Sequence, residues 1–145
     1  MYEISEVDGV EWQETLADLN ARSPDIFPPL QPRHFSDGYW WIAFLNDDPV
    51  AFAGLVPFEP FPNVGYLKRC YVAPDHHGHG LQYRLMAMRE LCARQLGWTL
   101  LVSECRADNS YSAANFRKAG FSLCEPEQRW ADQDNSLYWV KHLTV

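Results

Sequence analysis

The stretch from Tyr66 to Leu96 constrains this chain more than any other. An apolar run, Tyr66 to Val72, stops at Pro74, and a polar loop follows, Asp75-His76-His77-Gly78-His79-Gly80. Leu81, Leu85, Met88, Cys92 and Leu96 then recur at helical spacing, with Arg84, Arg89, Glu90, Arg94 and Gln95 on the other faces. Gly97 stands where a helix takes a left-handed residue just past its end. A strand that feeds a glycine-bearing loop and then a helix belongs to α/β architectures. Gly78 and Gly80 fall at the helix start, where unpaired N–H groups and the helix dipole favour an anion. Glycine there lets a phosphate approach the backbone closely. A short G-x-G also serves as an ordinary strand-to-helix turn, so the loop alone leaves both readings open.

The rest of the chain supplies more strands and one more strong helix. Residues 2–7 alternate weakly and predict a first strand. Trp12 to Arg22 has helical character, with Trp12, Leu16 and Leu19 on one face. Pro24, Pro28, Pro29 and Pro32 make residues 23–38 a loop region with room for a short helical turn. Tyr39 to Leu45 and Val50 to Phe58 predict a β-hairpin across the turn Asn46-Asp47-Asp48-Pro49, closed by Pro57, Pro60 and Pro62. Thr99 to Cys105 reads as a strand. Asp108, Asn109 and Ser110 are all good N-cap types before a helix that Gly120 ends, with Lys118 in its last turn. Phe121 to Leu123 and Leu137 to Leu143 read as closing strands joined by the polar segment 125–136. No repeat, low-complexity tract or linker interrupts the pattern, which predicts one α/β domain over residues 1–145 with a mixed sheet.

Composition narrows the function classes. The chain is 47% hydrophobic and 14% aromatic, too apolar to stay disordered, and its 145 residues suit one self-sufficient core. Twelve Lys and Arg against nineteen Asp and Glu give a formal charge of −7, which argues against a phosphate-tracking nucleic-acid surface or an anionic membrane surface. The balance suits a cationic small molecule or a basic peptide. Cys70, Cys92, Cys105 and Cys124 form no C-x-x-C pair and read as reduced thiols of a cytoplasmic protein. Met1-Tyr2-Glu3-Ile4-Ser5-Glu6 lacks a signal-peptide pattern, and no apolar run approaches the roughly 18–20 residues of a membrane span.

Two motifs, about thirty residues apart, turn the loop into a specific signal. Tyr71-Val72-Ala73-Pro74-Asp75-His76-His77-Gly78-His79-Gly80-Leu81-Gln82 resembles the acetyl-CoA loop of the GNAT family, the Gcn5-related N-acetyltransferases. Downstream, Asn109, Ser112, Phe116, Gly120 and Phe121 meet the family's second spacing, with Lys118 among them. The resemblance covers about residues 40–123 well and the N-terminal part in outline. It implies a single GNAT-like domain with a mixed, mostly antiparallel sheet of six to seven strands flanked by helices. It implies acetyl-CoA as cosubstrate and no metal. Coenzyme A would lie where strands 66–72 and 99–105 part. The backbone of Tyr71 and Val72 would pair with the pantetheine arm, and the amides of His77, Gly78, His79, Gly80, Leu81 and Gln82 would hold the pyrophosphate. Asn109 would contact pantetheine, and the helix carrying Ser112, Phe116 and Lys118 would flank the thioester.

The sequence departs from that pattern at three places. His77 replaces an Arg or Gln. An imidazole, with a reference pKa of about 6.5, is mostly neutral at pH 7, and bound diphosphate would favour its charged form. Gln82 replaces a Gly or Ala and either crowds the pyrophosphate or points away. Phe116 occupies the position of the family's frequent Tyr, which protonates the departing thiolate. Tyr111, Ser112 or a water would stand in for that acid, although Tyr111 also reads as a packed aromatic.

An amine acceptor must lose a proton, which calls for a base. Ser103-Glu104-Cys105-Arg106-Ala107-Asp108-Asn109 resembles the segment of GNATs that acetylate ribosomal-protein N-termini, and there the residue matching Glu104 is the base. Glu104 also reads as a surface or ion-paired acid, with Arg106 or Lys68 as partner. Glu59 and His34 are further candidates near the acceptor, and Cys70 would permit a covalent acetyl-cysteine route. The acceptor is expected to be a primary amine of a small molecule or peptide. An aromatic cleft for it would draw on Phe27-Pro28-Pro29-Leu30, Phe35, Tyr39-Trp40-Trp41 and Phe58-Glu59-Pro60-Phe61-Pro62, with Glu59 or Asp37 attracting a cation. A homodimer stays open. The alternatives are a domain that binds acetyl-CoA without efficient turnover and a metal-binding protein built on His76, His77 and His79.

Overall fold

The computed structural model describes residues 1–23, 30–131 and 135–143. Its elements run β1 (Tyr2–Val7), α1 (Gln13–Ala21), β2 (Tyr39–Leu45), β3 (Asp48–Pro57), β4 (Val64–Val72), α2 (Leu81–Gln95), β5 (Leu100–Arg106), α3 (Ser110–Lys118), β6 (Ser122–Cys124) and β7 (Ser136–His142). Single 3-10 turns occupy Pro32–Ser36 and Pro74–His76. The seven-stranded sheet has the order β1-β2-β3-β4-β5-β7-β6. Pairing is antiparallel for β1 with β2, β2 with β3, β5 with β7 and β6 with β7, and parallel for β4 with β5. This is the mixed, mostly antiparallel α/β class that the sequence implies. Among the described residues no helix is long and apolar enough to cross a membrane.

The chain packs as two compact units. One is Met1–Val56 with Lys68–Leu85, and the other is Pro57–Leu67 with Met86–Val145. In the first, the β2–β3 hairpin turns on Asn46 and Asp47, whose φ angles of 49° and 68° are the left-handed pair of a two-residue turn. Leu45 therefore faces Asp48, so Asp48 and Pro49 belong to β3 and not to the turn that the sequence suggested. A register shift between Ala43 and Phe44 accommodates Pro49, which has no N–H for the ladder.

The core of this unit gathers Leu16 and Leu19 from α1 with Leu30, Phe35, Trp40, Ile42 and Phe52. The helical spacing read in the sequence thus holds, with Trp12 half-buried against Phe44 at 5.7 Å. Phe35 meets Trp40 edge-on at 4.6 Å. Phe35, Trp40 and Trp41 are at most 1% exposed, so they build core and cannot line the acceptor cleft proposed for them. Phe27, Pro28 and Pro29, named for the same cleft, lie outside the described residues.

In the second unit, both helix-ending glycines act as the sequence predicts. Gly97 (φ 79°) closes α2 with Trp98 N–H on Ala93 O at 3.0 Å and Gly97 N–H on Arg94 O at 3.1 Å. Gly120 (φ 91°) closes α3 with Phe121 N–H on Phe116 O at 2.9 Å and Gly120 N–H on Arg117 O at 3.0 Å. Both pairs are the Schellman pattern, which satisfies carbonyls the helix leaves open. Lys141 Nζ donates to Ala119 O and to Glu90 Oε1, each at 2.6 Å, and so places a cation at the end of α3.

The apolar stripe of α2 differs from the sequence reading. Leu81, Leu85 and Cys92 are buried as expected, but Leu96 is 39% exposed and Arg89 only 2%. Arg89 sits four residues after Leu85 and three before Cys92, which puts it on the buried face despite its charge.

Gly54 carries the tightest packing constraint around Trp40, because a Cβ there would lie 2.4 Å from Trp40 Cζ3. Gly54→Ala is expected to cost about 1–3 kcal/mol in urea unfolding, since the fully buried indole has nowhere to retreat. An unchanged midpoint would contradict this packing.

Candidate active site

The site grows from the pairing of β4 with β5. Val64, Gly65 and Tyr66 lie opposite Leu100, Leu101 and Val102. Side chains alternate across a strand, so Glu104 shares the face of Val102, next to Tyr66. The Tyr66 hydroxyl donates to Glu104 Oε1. The Trp130 indole Nε1–H donates to Oε2 at 3.1 Å. Each carboxylate oxygen of the half-buried Glu104 thus accepts a hydrogen bond from a different segment, which fixes the plane of the group. On the opposite face, the buried Ser103 hydroxyl donates to Leu67 O at 2.9 Å and anchors β5 to β4 through a side chain.

Aromatic rings surround this carboxylate. Phe58 meets Trp130 edge-on at 5.5 Å and Tyr66 at 6.1 Å, and Trp130 meets Tyr138 at 4.9 Å. The Tyr138 hydroxyl donates to Ala131 O at 2.8 Å, which holds the chain beside Trp130. Sequence reasoning named Glu104 but missed Tyr66 and Trp130 as its partners. A tryptophan alone in the polar segment 125–136 was the available signal. Arg106 grips Asp108 in a fork, with Nε at 3.0 Å and Nη2 at 2.9 Å. That pairing holds the Asp108 carboxyl below its usual range.

The other predicted residues of this unit gather on α3. Asn109 is the N-cap, its Oδ1 accepting from Ser112 N–H at 3.0 Å. Ser112 is buried, whereas Tyr111 is 50% exposed, so Tyr111 is not the packed aromatic it could have been. Phe116 stacks on Trp139 at 5.2 Å with a 9° interplanar angle and meets Phe121 edge-on at 5.3 Å. Lys118 is exposed in the last turn. Burial pushes the Cys105 thiol up despite the hydrogen bond that Trp139 Nε1 gives its sulfur at 3.2 Å.

The glycine-bearing loop belongs to the first unit. Gly78 and Gly80 have φ of 83° and 74°, and a Cβ on either would meet nothing within 4 Å. Backbone at the start of α2 is therefore open on that side, as an anion cradle requires. Leu81 is 1% exposed, so its side chain serves the core and only its amide can face a ligand. Gln82 is half-buried in the first turn. Tyr71 packs at the edge of the core described above.

The His77 ring is already engaged, with Nε2 lying 2.8 Å from Val72 O. A carbonyl only accepts, so Nε2 carries the proton, and in the neutral ring Nδ1 is left as an acceptor. Only the doubly protonated ring can therefore hold Val72 and a phosphate together. The His77 amide is also engaged, donating to Pro74 O at 3.2 Å.

The neighbouring histidines turn elsewhere. His76 Nδ1 lies 2.9 Å from the Tyr2 hydroxyl, and the His79 ring packs against Tyr2 at 5.3 Å. No group of three His, Cys, Asp or Glu among the described residues is placed to hold a metal ion. On β4, burial pushes the Lys68 ammonium down and Arg69 pushes it further, against the opposing pull of Asp37. Burial, Arg33, Lys68 and Arg69 together push His34 down, so these cations share one neighbourhood. His34 Nδ1 accepts from Gln31 N–H at 2.9 Å.

Comparison with known proteins agrees with the fold. The chain has the fold of the ribosomal-protein-S18-alanine N-acetyltransferase of Escherichia coli, at a TM-score of 0.79 and 18% identity over 100% of this chain and 96% of that one. It also has the fold of a ribosomal-protein-alanine N-acetyltransferase of Brucella melitensis, at 0.74 and 21% over 97% and 99% of the two chains. YncA of Salmonella typhimurium, solved with its cofactor acetyl-CoA, superposes at 0.80 with 14% identity over 100% and 95%. No curated protein matches the sequence. The model of the acetyltransferase (GNAT) family matches residues 3–121, and the chain belongs to that family.

Proposed function

We propose that this chain is an acetyl-CoA-dependent N-acetyltransferase that moves the acetyl group directly to a primary amine of a small molecule or peptide, with Glu104 as general base. The observation that carries the reading is the double hydrogen bond that orients Glu104, from Tyr66 and from Trp130. A carboxylate fixed in this way holds one orientation against an incoming amine. The open backbone at Gly78 and Gly80, before the first turn of α2, suits the diphosphate of the coenzyme. The backbone of Tyr71 and Val72 would hold the pantetheine arm.

Bound acetyl-CoA supplies an acetyl carbonyl carbon, to which the amine bonds as the carbon–sulfur bond breaks. Glu104 takes the proton that the amine must lose. The departing sulfur leaves as a thiolate, which Tyr111, Ser112 or water protonates. A thiol with a reference pKa of about 8.5 is a tolerable leaving group, so the absence of a hydroxyl at Phe116 slows this step without forbidding it. The packing of Phe116 flat on Trp139 also favours a second reading, a domain that binds acetyl-CoA and turns it over poorly.

Thiol release with a panel of amines, followed by mass spectrometry of the products, separates the two readings. In the active case Glu104→Gln is expected to lower kcat about 100-fold at neutral pH, with the acetyl-CoA Kd changed less than about twofold. The deficit should shrink as pH rises toward the amine pKa of about 10.4, because a neutral amine needs no base. Tyr66→Phe and Trp130→Phe act through Glu104 and should each cost about tenfold in kcat with the same pH trend. Equal turnover by Glu104→Gln would remove the base.

The loop yields its own prediction. His77→Ala removes the ring bonded to Val72 O and should weaken acetyl-CoA binding about threefold to tenfold. An unchanged Kd would remove His77 from the binding account.

A further inference from the structure

The aromatic cluster around Glu104 extends beyond what the proposed chemistry needs. Phe58 stacks on Phe61 at 5.8 Å with a 15° interplanar angle, and Phe61 is 57% exposed. Backbone bonds hold the loop that carries both rings, since Phe58 N–H donates to Val64 O at 2.9 Å and Phe61 N–H to Phe58 O at 3.0 Å. The rings therefore run in one series, with Phe61 on Phe58, Phe58 against both Tyr66 and Trp130, and those two bonded to Glu104. Tyr66 and Trp130 turn their polar groups to the carboxylate, so the Phe58 and Phe61 stack is the apolar end of the series. Phe61 is the exposed ring and Phe58 beneath it is half-buried, so the apolar end of the series meets solvent through Phe61.

We propose that this series selects the acceptor: a primary ammonium carried on an aromatic body, with the ammonium at Glu104 and the aromatic group on the Phe58 and Phe61 stack. The inference rests on the acetyltransferase reading and names the acceptor class for it. Both ends suit such a ligand. A carboxylate among π systems attracts one ammonium ion, and the exposed phenyl face offers offset stacking to a ring. Spermidine, a polyamine, carries ammonium groups but no ring for the phenyl end of the series.

Calorimetric titration of phenethylamine, butylamine and spermidine, with and without coenzyme A, tests this. Phenethylamine is expected to bind about tenfold more tightly than butylamine and more tightly than spermidine. Phe61→Ala should reduce the preference over butylamine to less than about twofold, whereas Leu123→Ala, at an exposed apolar position outside the series, should keep it. Butylamine or spermidine binding as well as phenethylamine, a preference that survives Phe61→Ala, or no binding of phenethylamine would each overturn the inference. A parallel acetyl-CoA titration keeps the two readings apart: acetyl-CoA binding without aromatic preference defeats only the acceptor class, and no acetyl-CoA binding defeats the enzyme reading.

Discussion

The parallel pairing of β4 with β5 is the constraint on which the site depends. Parallel neighbours cannot be joined by a tight turn, so the chain between them must cross over, and here it does so through the glycine loop and α2. The crossover produces the helix start that suits an anion. The same pairing sets Tyr66 opposite Val102 and thereby brings its hydroxyl to Glu104. β7 pairs with β5 on the other side, with Tyr138 opposite Glu104, and Tyr138 backs Trp130. One strand register thus positions Glu104, the proposed base, with both of its donors and the ring behind them.

Much of the fold was legible in the sequence because it is written locally. Gly97 and Gly120 mark helix ends through their own backbone preference, and Asn109 caps the helix that immediately follows it. The hairpin turn was found but drawn two residues too long, because Pro49 reads as a breaker while a bulge lets it stay in the strand. The stripe of α2 was misread at Arg89, where residue type was weighed above helical phase. The partners of Glu104 were not legible. Tyr66 is 38 residues from it and Trp130 is 26, and only the sheet order brings them together. Resemblance pointed to Glu104 but carried no information about what holds it.

Charge also reads differently at the level of side chains. A formal charge of −7 suited a cationic small molecule or a basic peptide. The hydrogen-bond donors on Glu104 are aromatic, and Asp108 and Glu125 are held by arginines. Such exposed pairs add little stability. Arg33, His34, Lys68 and Arg69 meanwhile concentrate positive charge in the first unit, where burial and mutual repulsion push Lys68 and His34 down. Net charge is therefore a poor guide to either proposed ligand, because each would be met by a few placed groups.

The most direct test follows the acetyl group itself. The protein is incubated with acetyl-CoA labelled at the acetyl carbonyl and with an aromatic primary amine, and the labelled carbonyl is followed by NMR. Direct transfer requires an amide carbonyl signal to grow as the thioester signal falls, with one free thiol formed per amide. A thioester that persists, or one that becomes acetate without any amide, would contradict the assignment of this chain as an amine acetyltransferase.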